Sequence, residues 1–172
     1  GVYINPDEIE KHIRESDYLD LKSFQVDTTA AEILAFFNQS VLLGQADLLE
    51  QAACLRFSDD KLSFFAVSVN SYFASVAADF IRHKLLERGI SFTFETVMSS
   101  GDKVLFLQKA QQRGFRTYLY FVATDDPIIN ISRVRSRVRL GGHPVPDSKV
   151  IARYGRSLGL LLDAIRYTNR AY

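Results

Sequence analysis

Cysteine is almost missing from this chain: Cys54 stands alone among 172 residues, beside three histidines and no tryptophan. A lone thiol excludes an internal disulfide and a multi-cysteine metal site, and it fits a reducing compartment. Net charge is nearly missing too. With 21 basic and 20 acidic residues the balance is +1 at pH 7, which argues against a bulk polyanion such as nucleic acid as partner. No apolar run approaches the ~20 residues of a membrane span, and no signal-peptide pattern is visible. A cytoplasmic protein without a membrane partner is the expectation. His12 and His83 have no partner at metal-ligand spacing, so both read as surface or packing histidines, and no side-chain metal site is expected.

What is present is 47% hydrophobic residues, enough for one globular domain over 1–172 with a sizeable core. The chain opens on a strand-like Val2-Tyr3-Ile4 and closes on Ala171-Tyr172, where another strand can begin. Both ends read as cuts inside a fold.

The organising stretch is Ser91–Thr124. Ser91–Glu95, rich in Phe and Thr, reads as a strand ending in a carboxylate. Ser99-Ser100-Gly101-Asp102 marks a turn and a helix start, and Val104, Leu105 and Leu107 begin an amphipathic helix that stops at Gly114. Thr117–Ala123 is a second apolar, aromatic strand. Strand, helix and strand with short joins form a βαβ unit, which predicts parallel strands and a right-handed crossover. Ligands of such sheets bind beyond the carboxyl ends of the strands, where Glu95, Thr96 and Thr124 fall. The aromatics are expected inside these strands rather than displayed as stacking platforms.

Asn5-Pro6-Asp7-Glu8 follows the first strand as a turn that can cap a helix, with Pro6 in its first turn. Asp7 reads either as a capping carboxylate or as a general base at a strand's carboxyl end. Residues 16–27 read as a polar connection. Thr28–Gln39 and Ala46–Leu55 read as helices, so that 16–70 is a mainly helical insertion. On the first of these helices Ala31, Leu34, Ala35 and Asn38 share the face expected to pack inward. Residues 57–69 read as a turn followed by an edge strand or extended loop. A long helix follows to Glu87, with Phe73, Val76, Ala77, Phe80, Ile81 and Leu85 as its apolar stripe.

Asp125-Asp126-Pro127 opens a helix that carries Arg133, Arg135, Arg137 and Arg139. At ~100° per residue, Arg133 and Arg137 share a face roughly opposite the Ile131/Val134/Val138 stripe. Arg135 and Arg139 lie nearer that stripe, and both are expected to run along the protein surface or pair with neighbouring acids. No acid interrupts the arginine run, and a solvated face is usually mixed in sign, so the cluster points to an anion. Gly141-Gly142-His143 and the prolines behind it read as a hinged loop, making 133–147 a lid of the kind that covers phosphate-transfer sites. Ser148 onward is a last helix with a stripe of Val150, Ile151, Tyr154, Leu158, Leu161, Leu162 and Ile165.

Three stretches in this order, INPDEI, SFTFETVMS and NISRVRSRVRLGGHPVP with IARYGRSL behind it, resemble the zeta-toxin family of P-loop kinases. The resemblance covers most of the chain outside roughly 16–70. It implies a three-layer α/β sandwich with a mostly parallel sheet, and phosphorylation of a small molecule from ATP and Mg²⁺. Characterised toxins of the family act on UDP-N-acetylglucosamine and are neutralised by an antitoxin protein. The resemblance gives Asp7 the role of activating the substrate hydroxyl. It gives Glu95, with Thr96 beside it, the sugar nucleotide, and it gives Arg133 and Arg137 the ATP phosphates and the transferred group. One departure stands out: the family's G-x-x-x-x-G-K-[ST] phosphate cradle is not in this sequence. The expectation is therefore that the cradle lies upstream of Gly1 and that this chain alone is inactive. The alternative reading is a catalytically inactive interaction or nucleotide-binding module.

Overall fold

In the computed structural model, which describes residues 1–142 and 144–172, β1 (Val2–Ile4) enters α1 (Pro6–Ser16) through a single residue, Asn5. A parallel pair with β5 (Phe92–Phe94) places Val2 opposite Phe92, Tyr3 opposite Thr93 and Ile4 opposite Phe94. Between them come β2 (Tyr18–Asp20), α2 (Ala30–Asn38), α3 (Val41–Gln45), α4 (Leu49–Ala52), β3 (Arg56–Ser58), β4 (Lys61–Ser63) and α5 (Ser71–Glu87). The short strands make an antiparallel sheet in the order β2-β4-β3. These elements, Gly1 to Thr96, form the first of two compact units.

Its core is built on α5. All six residues of the predicted stripe are buried, joined by Ala74, Ala78 and Leu86. Phe37, Phe64 and Phe73 are fully enclosed and meet edge to face, with ring centroids 6.3 and 6.1 Å apart, the geometry that aromatic quadrupoles favour. Arg82 is buried in the same helix. It pairs with Asp79, and its guanidinium lies 4.9 Å from the centre of the Phe94 ring.

The second unit, Val97 to Tyr172, contains α6 (Gly101–Gln112), β6 (Tyr118–Leu119), α7 (Pro127–Arg139), α8 (Asp147–Arg166) and β7 (Arg170–Ala171). Strands β6 and β7 pair in parallel. Met98, Val104, Leu107 and Ala164 are its buried cluster, with Leu119, Phe121, Leu160, Leu161 and Tyr167 packed around them. Thr117 is tied to the chain end: its amide and hydroxyl both reach the Asn169 side chain, and its hydroxyl also donates to the Tyr167 carbonyl.

The chain is thus a mixed α/β protein with small parallel sheets. Several expectations are corrected. The two strands of the organising stretch do not pair with each other; each takes a partner from a distant part of the chain, β1 and β7. On α2 the inward face is Ile33 and Phe37, while Ala31, Ala35 and Asn38 are exposed. Two large apolar groups one turn apart outweigh three small or polar ones, since burial scales with apolar area. The polar connection at 16–27 holds β2, whose Leu19 is buried although Tyr18 and Asp20 flank it. The aromatic run at 117–123 is only half buried. Leu119 and Phe121 face inward while Tyr118, Tyr120 and Val122 are exposed, and Tyr120 stacks on Tyr172 at 4.9 Å. That is the period of two expected where only one face of a strand is covered.

Candidate functional site

Strand alternation gathers one group of candidates. Val2 and Ile4 point into the core, so Tyr3 and Asn5 must project to the other face of β1. The parallel register puts Thr93 on that same face, and Glu95, two residues further on, continues it. The Glu95 amide donates to the Ile4 carbonyl at 3.0 Å, which extends the ladder one step past the strand end. The side chains then meet. Tyr3 donates its hydroxyl to Glu95 Oε1 at 2.5 Å, and Asn5 Nδ2 donates to Glu95 Oε2 at 3.1 Å. The hydrogen bond to Glu95 holds the proton on Tyr3 and raises its pKa above the ordinary phenol value; the bond from Asn5 opposes this.

Asn5 is also the N-cap of α1, in an extended conformation, with its Oδ1 accepting from the amides of Asp7 and Glu8 at 2.9 and 3.5 Å. Pro6 fills the first helical position, where no amide is needed. Asp7 is therefore held on a capped first turn at the carboxyl end of β1, exposed. The capping oxygen comes from Asn5, so the Asp7 carboxylate is not the group that closes this helix end. Thr96 is exposed beyond Glu95. A small cleft of about 210 Å³ opens beside the group, lined by Tyr3, Asn5, Glu8, His12, Ser23 and Phe24 among others.

The second group lies on α7. Asp126 caps the helix, accepting from the Ile128 amide at 2.8 Å, and Pro127 starts it. Arg133 and Arg137 line one shallow depression with Ile129, Ser132, Ser136 and Leu140. Arg135 instead pairs with the neighbouring acid Asp147 at 2.6 Å, and Arg139 donates to Ser136 Oγ at 2.9 Å. Of the four, Arg133 and Arg137 are the two that share the depression.

Gly141 and Gly142 have a structural task that the sequence pattern did not reveal. Gly141 takes φ +93°, its amide reaches the Val138 carbonyl and the Gly142 amide reaches that of Arg137, both at 3.0 Å. This is the Schellman termination of a helix. Gly142 also lies against Arg137: a Cβ there would come within 2.8 Å of Arg137 Cγ and 3.1 Å of its carbonyl oxygen. His143, the third residue assigned to the lid, lies outside the described residues. His83, expected to be a surface or packing histidine, contacts the Asp79 carbonyl through Nδ1 at 2.8 Å. His12 packs edge-on against Tyr18, with ring centroids 6.1 Å apart.

The described residues contain no cluster of three His, Cys, Asp or Glu able to hold a metal ion, and no helix among them is long and apolar enough to cross a membrane. The role of Tyr3 went unread in the sequence. The available signal was its i, i+2 relation to Asn5 on a strand paired with the one that leads to Glu95.

Comparison with known proteins bears on the same residues. The family model described as Zeta toxin matches residues 58–158, a span that includes Glu95, Thr96, Arg133 and Arg137 and leaves Asp7 outside. An uncharacterized protein of Haemophilus influenzae is 28% identical over 72 residues, which cover 42% of this chain and 51% of the relative. The matched region thus spans about half the length of that curated relative. No solved structure matches the chain.

Proposed function

The chain belongs to the zeta toxin family, and from that premise we propose that it serves an ATP-dependent phosphotransferase acting on a hydroxyl of a small molecule, UDP-N-acetylglucosamine being the acceptor the family suggests. The observation that carries the reading is the separation of the α7 arginines. Arg133 and Arg137 line one depression and Arg135 and Arg139 do not; two guanidinium groups on one face suit the recognition of phosphate oxygens.

Asp7 takes the proton of the acceptor hydroxyl as its oxygen attacks the γ-phosphorus. The bond from that phosphorus to the bridging oxygen breaks, and ADP leaves with the electron pair. Arg133 and Arg137 neutralise charge on the transferred group, where phosphoryl transfer needs most help. Glu95 and Thr96 hold the acceptor, with Glu95 accepting hydrogen bonds from its hydroxyl or amide groups. Mg²⁺, the ion the family implies, is usually held by phosphate oxygens and only one or two carboxylates. Gly141, Gly142 and His143 are assigned to the lid that excludes water. A separate antitoxin chain is the protein partner this reading carries, and the compartment is the cytoplasm.

The test is Asp7→Asn in the full-length protein. Loss of a positioned base costs about 10²–10⁴ in rate. The expected result is that loss in kcat with ATP affinity unchanged and the melting temperature held, because Asn5 still caps α1. Normal turnover in the variant would remove Asp7 from the chemistry.

A further inference from the structure

Glu95 is held from two sides, by Tyr3 and by Asn5. Tyr3 donates to one carboxylate oxygen at 2.5 Å and Asn5 to the other at 3.1 Å, and the two donors are themselves 3.4 Å apart. The orientation of the Asn5 amide is decided by its neighbours. Its oxygen is occupied by the amides of Asp7 and Glu8, which can only donate, so its NH₂ must face Glu95. One side chain therefore joins the first turn of α1, which carries Asp7, to the carboxylate beyond β5. A carboxylate gripped at both oxygens has lost most of its rotamer freedom before any ligand arrives, and such preorganisation reduces the ordering cost of binding. Tyr3 is only partly covered, 43% exposed, and Glu95 is exposed, so the carboxylate keeps lone pairs for a ligand.

We propose that Tyr3 and Asn5 are positioning residues for Glu95. Together they fix its carboxylate on the acceptor side of the site and lock it in register with Asp7. The proposal rests on the reading that Glu95 binds the acceptor. It predicts a division of labour: Tyr3 serves Glu95 alone, whereas Asn5 serves both the helix cap and Glu95.

The experiment has one arm independent of activity. In full-length protein labelled at tyrosine Cζ, with Tyr3→Phe assigning the signal, Tyr3 should titrate above the ordinary phenol value. In Glu95→Gln it should fall back toward that value. In Asn5→Ser it should rise further, because serine caps a helix about as well but is too short to donate to the phenol. A Tyr3 titration unmoved by Glu95→Gln overturns the grip.

The second arm uses UDP-N-acetylglucosamine as the acceptor probe. Tyr3→Phe should raise its KM about tenfold, the size expected for one hydrogen bond to a charged group. The KM for ATP and the melting temperature should stay put. Asn5→Ser should behave alike, while Asn5→Ala should lower the melting temperature as well. Equal changes in both KM values, or a KM unchanged in Tyr3→Phe, would show that Tyr3 only packs. If the wild-type protein leaves UDP-N-acetylglucosamine unphosphorylated, the acceptor assignment fails, and the titration alone decides whether Glu95 is held.

Discussion

Helices α5 and α8 carry the same kind of sequence stripe and meet different fates. On α5 every stripe residue is buried, and Phe73 and Ile81 are inaccessible to solvent. On α8 only Val150 of the predicted stripe is buried. Leu162 is 71% exposed, Ile151 50% and Ile165 40%, while the deepest α8 residue is Ala164. Periodicity reports which side chains share a face; the elements packed against that face decide whether it is covered. In the first unit α5 meets α1, α2, α3 and both strands of the β1–β5 pair. In the second, α8 meets chiefly α6 and α7, and much of its apolar face stays open.

The sharpest way to break this contrast is a truncation in the deeper core. Phe73→Ala should destabilise by about 3–5 kcal/mol, the cost of emptying a fully enclosed aromatic site, measured by urea denaturation. Next in size is Gly141→Ala. It places a side chain at φ +93° and should cost on the order of 1 kcal/mol. Gly142→Ala should cost activity instead, because the added methyl displaces the Arg137 stem; its kcat should approach that of Arg137→Ala.

A smaller effect is expected at Glu32. Hydrogen bonds from Lys84 at 2.8 Å and Thr28 at 2.6 Å lower its pKa. A depressed carboxylate stabilises the fold above its unfolded pKa, and that contribution is lost as pH falls through the folded value. Glu32→Gln should therefore lower stability slightly at neutral pH and change it little below the folded pKa, which flattens part of the acid loss. The pair is half exposed on the Glu32 side, which holds the effect below about 1 kcal/mol. Smallest of all, Leu162→Ala should stay within about 0.5 kcal/mol, as surface changes do. If it cost as much as Phe73→Ala, the face would be covered in solution and the contrast would collapse.

Where local chemistry decides the outcome, the sequence was legible. Asn5-Pro6 and Asp126-Pro127 announced two helix starts, and Gly114, at positive φ, the stop after α6. The split between Arg133/Arg137 and Arg135 followed from 3.6 residues per turn. What needed long-range pairing was not legible. β5 gives no local sign that its partner is β1, nor β6 that its partner is β7 some fifty residues on. Tyr3 looked like a strand former, and only the parallel register brings its hydroxyl to Glu95. The glycines after α7 read as a hinge, and their second task as a Schellman cap was not legible, because it depends on the carbonyls of Arg137 and Val138 that their amides reach.

The central claim, phosphate transfer supported by one face of α7, is tested most directly by following the γ-phosphate of ATP onto UDP-N-acetylglucosamine. The full-length protein is compared with its Arg133→Ala, Arg137→Ala and Arg139→Ala variants. The account predicts labelled acceptor from the wild type and kcat reduced far more than acceptor affinity in the first two variants, the pattern of a charge that acts in the transition state. Arg139→Ala should be nearly silent. Equal losses in all three, or transfer that survives removal of Arg133 and Arg137, would contradict it.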